Sequence, residues 1–106
     1  MDFQQIEPEL IKYLSRVKKT VSVARAFVFG SVAEGKATAE SDVDLVVLSD
    51  QFGNLDEDER SRILYRASVG LPFDLHVYGL TPAEFEQASP LSTLGTLKTQ
   101  KTIPLA

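Results

Sequence analysis

The sequence predicts one α/β (α+β) domain, a small mixed β-sheet flanked by helices. Three observations lead there. Short apolar runs with strand character, Arg25–Phe29, Val43–Leu48 and Phe73–Tyr78, alternate with stretches of helical periodicity. The chain has 106 residues, 43% of them hydrophobic, which suits a single domain over 1–106 with one core. Neither an internal repeat nor a low-complexity segment interrupts it.

The first element is an amphipathic helix from about Gln4 to Lys19. Ile6, Leu10, Tyr13, Leu14 and Val17 recur at helical spacing, with Glu7, Glu9, Lys12 and Arg16 between them. Arg25–Phe29 reads as a short buried strand that Gly30-Ser31 ends. Val32 to Glu40 is rich in Ala, Gly and polar residues and reads as loop with one helical turn. Val43–Leu48 is β-branched and nearly continuous in apolarity, which predicts a central strand. Asp56 to Ser68 reads as a helix across the sheet, with Ile63, Leu64 and Ala67 inward and the acidic run Asp56–Glu59 as its solvated start. Phe73–Tyr78 follows Pro72 as the third strand. Thr81-Pro82-Ala83-Glu84 opens another helix, with Thr81 as cap, Pro82 in the first turn and Glu84 completing a capping box. Leu91, Leu94 and Leu97 suggest a weak helix, and Thr102–Leu105 a short edge strand. Tyr13, Tyr65 and Tyr78 are expected to pack with a wet hydroxyl.

Composition narrows the function. There are no cysteines, so thiolate metal sites and disulfides are excluded. No apolar run reaches the roughly 20 residues needed to cross a bilayer, and the N-terminus does not resemble a signal peptide; a cytoplasmic protein is expected. Net charge is −4, which argues against broad binding to nucleic acid. It leaves open a nucleotide held through magnesium.

The chemistry concentrates in three places. On a strand, side chains two apart share a face, so Asp42 and Asp44 project together with Cα atoms about 6–7 Å apart. Two unpaired carboxylates beside a core repel one another and are costly to desolvate. A magnesium ion, which takes oxygen ligands from one or two carboxylates and from substrate phosphates, removes both problems. Asp74 is a third carboxylate between apolar neighbours. If its strand lies beside the other, Asp42, Asp44 and Asp74 can hold two Mg2+ ions. Gly30 and Ser31 supply the complementary half. Glycine permits close backbone approach, and turn N–H groups with a serine hydroxyl form an anion site for phosphates. His76 shares the face of Asp74 and is expected to be a partly buried strand histidine, the alternative being a partner of the carboxylates or a contact to the nucleotide.

Phe29-Gly30-Ser31, Asp42-Val43-Asp44-Leu45 and Phe73-Asp74-Leu75 together resemble the nucleotidyltransferase superfamily related to DNA polymerase beta. That family's pattern is an apolar residue, Gly-Ser or Gly-Gly, a short spacer, Asp-x-Asp/Glu, and a later strand carboxylate. The chain is similar to minimal nucleotidyltransferases, which are often antitoxins paired with HEPN-domain toxins. The resemblance implies the nucleotidyltransferase fold, with Asp42, Asp44 and Asp74 catalytic and metal-binding and Ser31 on phosphate. It implies transfer of a nucleoside monophosphate, AMP from ATP, to a hydroxyl, and a HEPN protein as partner, with a second subunit as another way to complete the cleft. Many minimal relatives carry arginines where this chain has Val32 and Glu34. That departure supports the alternative, a non-catalytic module that neutralises or scaffolds a partner. An aspartate-nucleophile phosphohydrolase also uses Asp-x-Asp, but there the pair follows its apolar strand, whereas Asp42 and Asp44 precede Leu45–Leu48.

Overall fold

The computed structural model describes residues 2–88 and 100–105. In chain order they form α1 (Phe3–Val17), β1 (Arg25–Phe29), β2 (Val43–Leu48), a 3-10 turn (Asp50–Asn54), α2 (Glu57–Ser68), β3 (Leu75–Leu80), α3 (Pro82–Glu86) and β4 (Ile103–Pro104). The sheet order is β3-β2-β1-β4. β2 and β3 are parallel, and β1 is antiparallel to both β2 and β4. The parallel pair needs a crossover, and the 3-10 turn with α2 supplies it.

α1 buries the five apolar positions that its spacing marked out. It starts at a capping box, with Asp2 accepting from the Gln4 N–H and the Gln5 side chain accepting from the Asp2 N–H. The helix ends at Val17, two residues before the expected Lys19, and Lys18 and Lys19 lie in a turn. Tyr13 corrects an expectation. Its hydroxyl is not wet: the side chain is fully buried, and the O–H donates to the Leu64 carbonyl of α2 at 3.1 Å. Burial also pushes that phenol well above its ordinary pKa of 10.0. Arg16 clamps the far end by donating to the carbonyls of Ala67, in the last turn of α2, and of Val69, which caps it.

β2 is apolar almost throughout because both its faces are covered. Val43, Leu45 and Val47 pack with Val28 against α1 and α2. Val46 and Leu48 pack on the opposite face with Phe27, Phe29 and Phe85 of α3, where the Phe27 and Phe85 rings meet edge-on at 5.5 Å. Asp44 breaks this second face. It lies opposite Phe29 of β1 on one side and His76 of β3 on the other.

β3 lies two residues later than the expected Phe73–Tyr78. Its register is set by β2, whose first ladder bond runs from the Val43 N–H to the Asp74 carbonyl. The ladder then passes through Gly79 and closes with the Ser49 N–H donating to Leu80. Gly79 looks like a strand terminator but is there for space: a Cβ would sit 2.7 Å from Leu64 Cδ1 and 3.1 Å from Phe52. α3 has the predicted Thr81–Glu84 capping box. The expected edge strand is present as β4, while the suggested helix through Leu91–Leu97 lies outside the described residues. Among the described residues no helix is long and apolar enough to cross a membrane.

Candidate active site

The site begins at the end of β1. Gly30 has φ +74, the left-handed region that side chains with a Cβ disfavour. A Cβ there would also collide with Oδ2 of Asp44 and lie 3.3 Å from its Cγ. Glycine is required twice, by the turn and by the carboxylate packed against it. The chain then winds through a helical turn, with the Glu34 N–H donating to Gly30 and the Lys36 N–H to Ser31. This winding drives Val32 and Ala33 into the core and leaves Ser31 half-buried, with Glu34 and Lys36 exposed.

A second loop delivers the carboxylates. Thr38 and Ser41 close it: the Thr38 N–H donates to Ser41 Oγ at 2.9 Å, and the Ser41 N–H returns to the Thr38 carbonyl. Asp42 follows, exposed, one residue before β2. Asp74 stands in the same relation to β3. Val43 pairs with Leu75, and the Val43 N–H holds the Asp74 carbonyl at 2.9 Å, so Asp42 and Asp74 stand at the same end of neighbouring parallel strands. The condition that the two strands adjoin is met.

Asp44 carries the electrostatic strain. Its side chain is 26% exposed. Burial, opposed by His76 and reinforced by the charge of Asp42, raises its pKa above the ordinary 3.8. Its two oxygens face different neighbours, Oδ2 the Gly30 turn and Oδ1 the Nδ1 of His76 at 3.8 Å. Among the described residues no lysine or arginine pairs with Asp42, Asp44 or Asp74. His76 is also not the partly buried histidine expected. Its side chain is 69% exposed on the open side of an edge strand. The parity of β3 gave its face, but only the pairing with β2 revealed Asp44 as its neighbour.

This chemistry suits a divalent cation. The donors are all carboxylate oxygens, the choice of a hard ion, and two of them repel with no lysine or arginine paired to them among the described residues. With the side chains as they stand, no three His, Asp or Glu among the described residues form a metal-holding cluster. The fit is therefore to an ion held by the β2 pair with substrate oxygens, Asp74 being the nearest further carboxylate in register. Clefts of about 230 Å3 each run between α2 and β3, lined by Ser61, Leu64 and Val77. One of them is also lined by His76, but neither is lined by Asp42, Asp44 or Asp74, so the carboxylates, not these clefts, mark the chemistry.

Comparison with known proteins gives the family and the fold. Residues 10–99 match the family model of the nucleotidyltransferase domain. No curated protein matches the chain. Among solved structures, a Sulfolobus solfataricus protein assigned as a nucleotidyltransferase superposes with a TM-score of 0.65 at 15% identity, covering 81% of this chain and 76% of that one. A toxin–antitoxin structure with AMP-PNP gives 0.65 at 22% identity, covering 94% of this chain and 72% of the other. The MntA-HepT toxin–antitoxin gives 0.58 at 21%, covering 97% and 71%. At such identities these likenesses speak for the fold. The family match spans Gly30, Ser31 and all three carboxylates, and by it the chain belongs to the nucleotidyltransferase domain family.

Proposed function

We propose that the protein transfers a nucleoside monophosphate, AMP from ATP, to a hydroxyl group in a Mg2+-dependent reaction, and that it serves as the antitoxin of a pair with a HEPN-domain toxin. The observation that supports the catalytic part is the register of β2 and β3, in which Asp42 and Asp74 precede neighbouring parallel strands at the same end while Asp44 packs against Gly30. When bound, Mg2+ supplies charge neutralisation between carboxylates and phosphates and lowers the pKa of the attacking hydroxyl. The Gly30-Ser31 turn grips the outer phosphates. Asp42 and Asp44 are the metal ligands, and Asp74 completes the set or accepts the proton of the acceptor hydroxyl. The acceptor oxygen forms a bond to the α-phosphorus, the bond to the β-phosphate oxygen breaks, and pyrophosphate leaves.

The antitoxin part draws support from the two toxin–antitoxin structures that share the fold. Incubation with labelled ATP, Mg2+ and a candidate HEPN toxin tests the whole reading. Label is expected on the toxin with wild type and not with Asp42→Asn/Asp44→Asn. Equal transfer by both rejects these residues as the catalytic set.

One observation favours a second reading, a binding module without catalysis. The turn after Gly30 carries a buried Val32 and an acidic Glu34, so its nearest basic side chain is Lys36 at its far end. Calorimetry separates the two: a module leaves Mg-ATP unbound yet still forms the complex with its partner.

A further inference from the structure

We infer that His76 is a nucleotide-binding residue of this site, donating a hydrogen bond to the phosphate chain of the bound triphosphate. The inference rests on the nucleotidyltransferase reading above and names a residue within that site. His76 is in register with Asp44 across the β2–β3 pair, and its Nδ1 lies 3.8 Å from Asp44 Oδ1. Among the described residues it is the one basic side chain within ion-pair distance of any of the three aspartates. The phosphate-facing turn has none of its own at Val32, Ala33 or Glu34.

The exposure of His76 matters as much as its position. A structural histidine on a strand is packed or hydrogen-bonded, whereas this one is 69% exposed and makes no hydrogen bond among the described residues. Its ring is therefore available to a ligand lying over Asp44. In either tautomer a neutral imidazole has one N–H to donate, and phosphate oxygens are strong charged acceptors. Asp44 holds one oxygen toward the Gly30 turn and the other toward His76. A triphosphate bound through Asp44 and a metal ion therefore lies between the turn and the imidazole.

His76 is the single histidine of the chain, so its imidazole NMR signals need no assignment beyond their presence. Titration of the whole protein with Mg-ATP, Mg-pyrophosphate and adenosine is expected to shift these signals with the first two and not with adenosine. In calorimetry His76→Ala is expected to weaken Mg-ATP by about 10-fold, the loss of one hydrogen bond to a charged acceptor. AMP is expected to lose much less, and His76→Lys to recover most of the affinity. Wild type binding Mg-ATP while His76→Ala binds it equally well overturns the inference and leaves the nucleotidyltransferase reading standing. Equal losses for ATP and AMP also overturn it, because they place the ring on the nucleoside. Wild type failing to bind Mg-ATP under any condition overturns both.

Discussion

At the scale of single residues, the geometry of the site constrains which side chain each position can carry. Gly30 is the clearest. Gly30→Ala places a Cβ in the left-handed region, at a cost of about 1–2 kcal/mol from the backbone alone, and drives it into Asp44 Oδ2. The expected outcome is a fall in unfolding free energy of at least that size in urea titration, with loss of nucleotidyl transfer because Asp44 must move. Asp44→Asn should separate the two properties. The folded-state pKa of Asp44 is raised, so the folded chain binds that proton more tightly than the unfolded chain. Its contribution is fully favourable below the ordinary value of 3.8 and is lost as pH rises through the folded pKa. At neutral pH the metal-free Asp44→Asn protein is therefore expected to be more stable than wild type in urea unfolding, while transfer falls by about 10²-fold or more. Lower stability would mean that Asp44 is an ordinary structural carboxylate.

At the scale of elements, what could be read along the chain depended on whether the signal was local. β1, β2 and the Thr81 cap follow from runs of apolar residues and from cap chemistry, and they stand where they were expected. β3 slipped by two residues because its limits are set by a partner strand: Asp74 is the first residue that β2 reaches, and Leu80 the last. Gly79 likewise answers to long-range packing, since its lack of a side chain leaves room for Leu64 and Phe52 overhead. Gly79→Ala is accordingly expected to cost about 1–3 kcal/mol through overpacking rather than to stiffen the strand. Spacing along the chain put Asp42 and Asp74 at the starts of two strands, but the neighbourhood of His76 was not legible, because it exists only across the parallel pair.

The junction of β3 and α3 gives a pH test at the same scale. Glu84 accepts from Arg60 at 2.7 Å and from the Thr81 N–H at 2.8 Å, and its pKa is lowered, first by the Arg60 hydrogen bond. The stability it lends is present above the ordinary 4.5 and is lost as pH falls through the folded pKa. Glu84→Gln should flatten this acid-side slope, and an unchanged slope would assign the acid sensitivity elsewhere. The effect is small, because Glu84 is solvent-exposed.

At the scale of the molecule, these parts divide into a scaffold and a strained rim. One face of the sheet is sealed by α1 and α2, and the other packs Phe27, Phe29, Val46, Leu48 and Phe85, with Asp44 and His76 side by side at one end. The repulsion between Asp42 and Asp44 sits at the end of that second face, where the folded state has no lysine or arginine to offset it among the described residues. A cation bridging to a triphosphate removes the repulsion and binds only the folded chain, so ligand and stability are linked. At ligand ten times above its Kd the gain is about 1.4 kcal/mol, which for a domain of this size raises Tm by roughly 5–10 °C. Mg2+ with a non-hydrolysable ATP analogue is expected to give a shift of that order by differential scanning fluorimetry, and chelator should abolish it. Asp42→Asn/Asp44→Asn should start from a higher metal-free Tm and show almost no response. That crossing of the two proteins, the variant more stable without ligand and the wild type gaining with it, distinguishes a ligand-completed site from a simply acidic surface. On a merely acidic surface Mg2+ alone would shift both proteins weakly, with no dependence on the nucleotide.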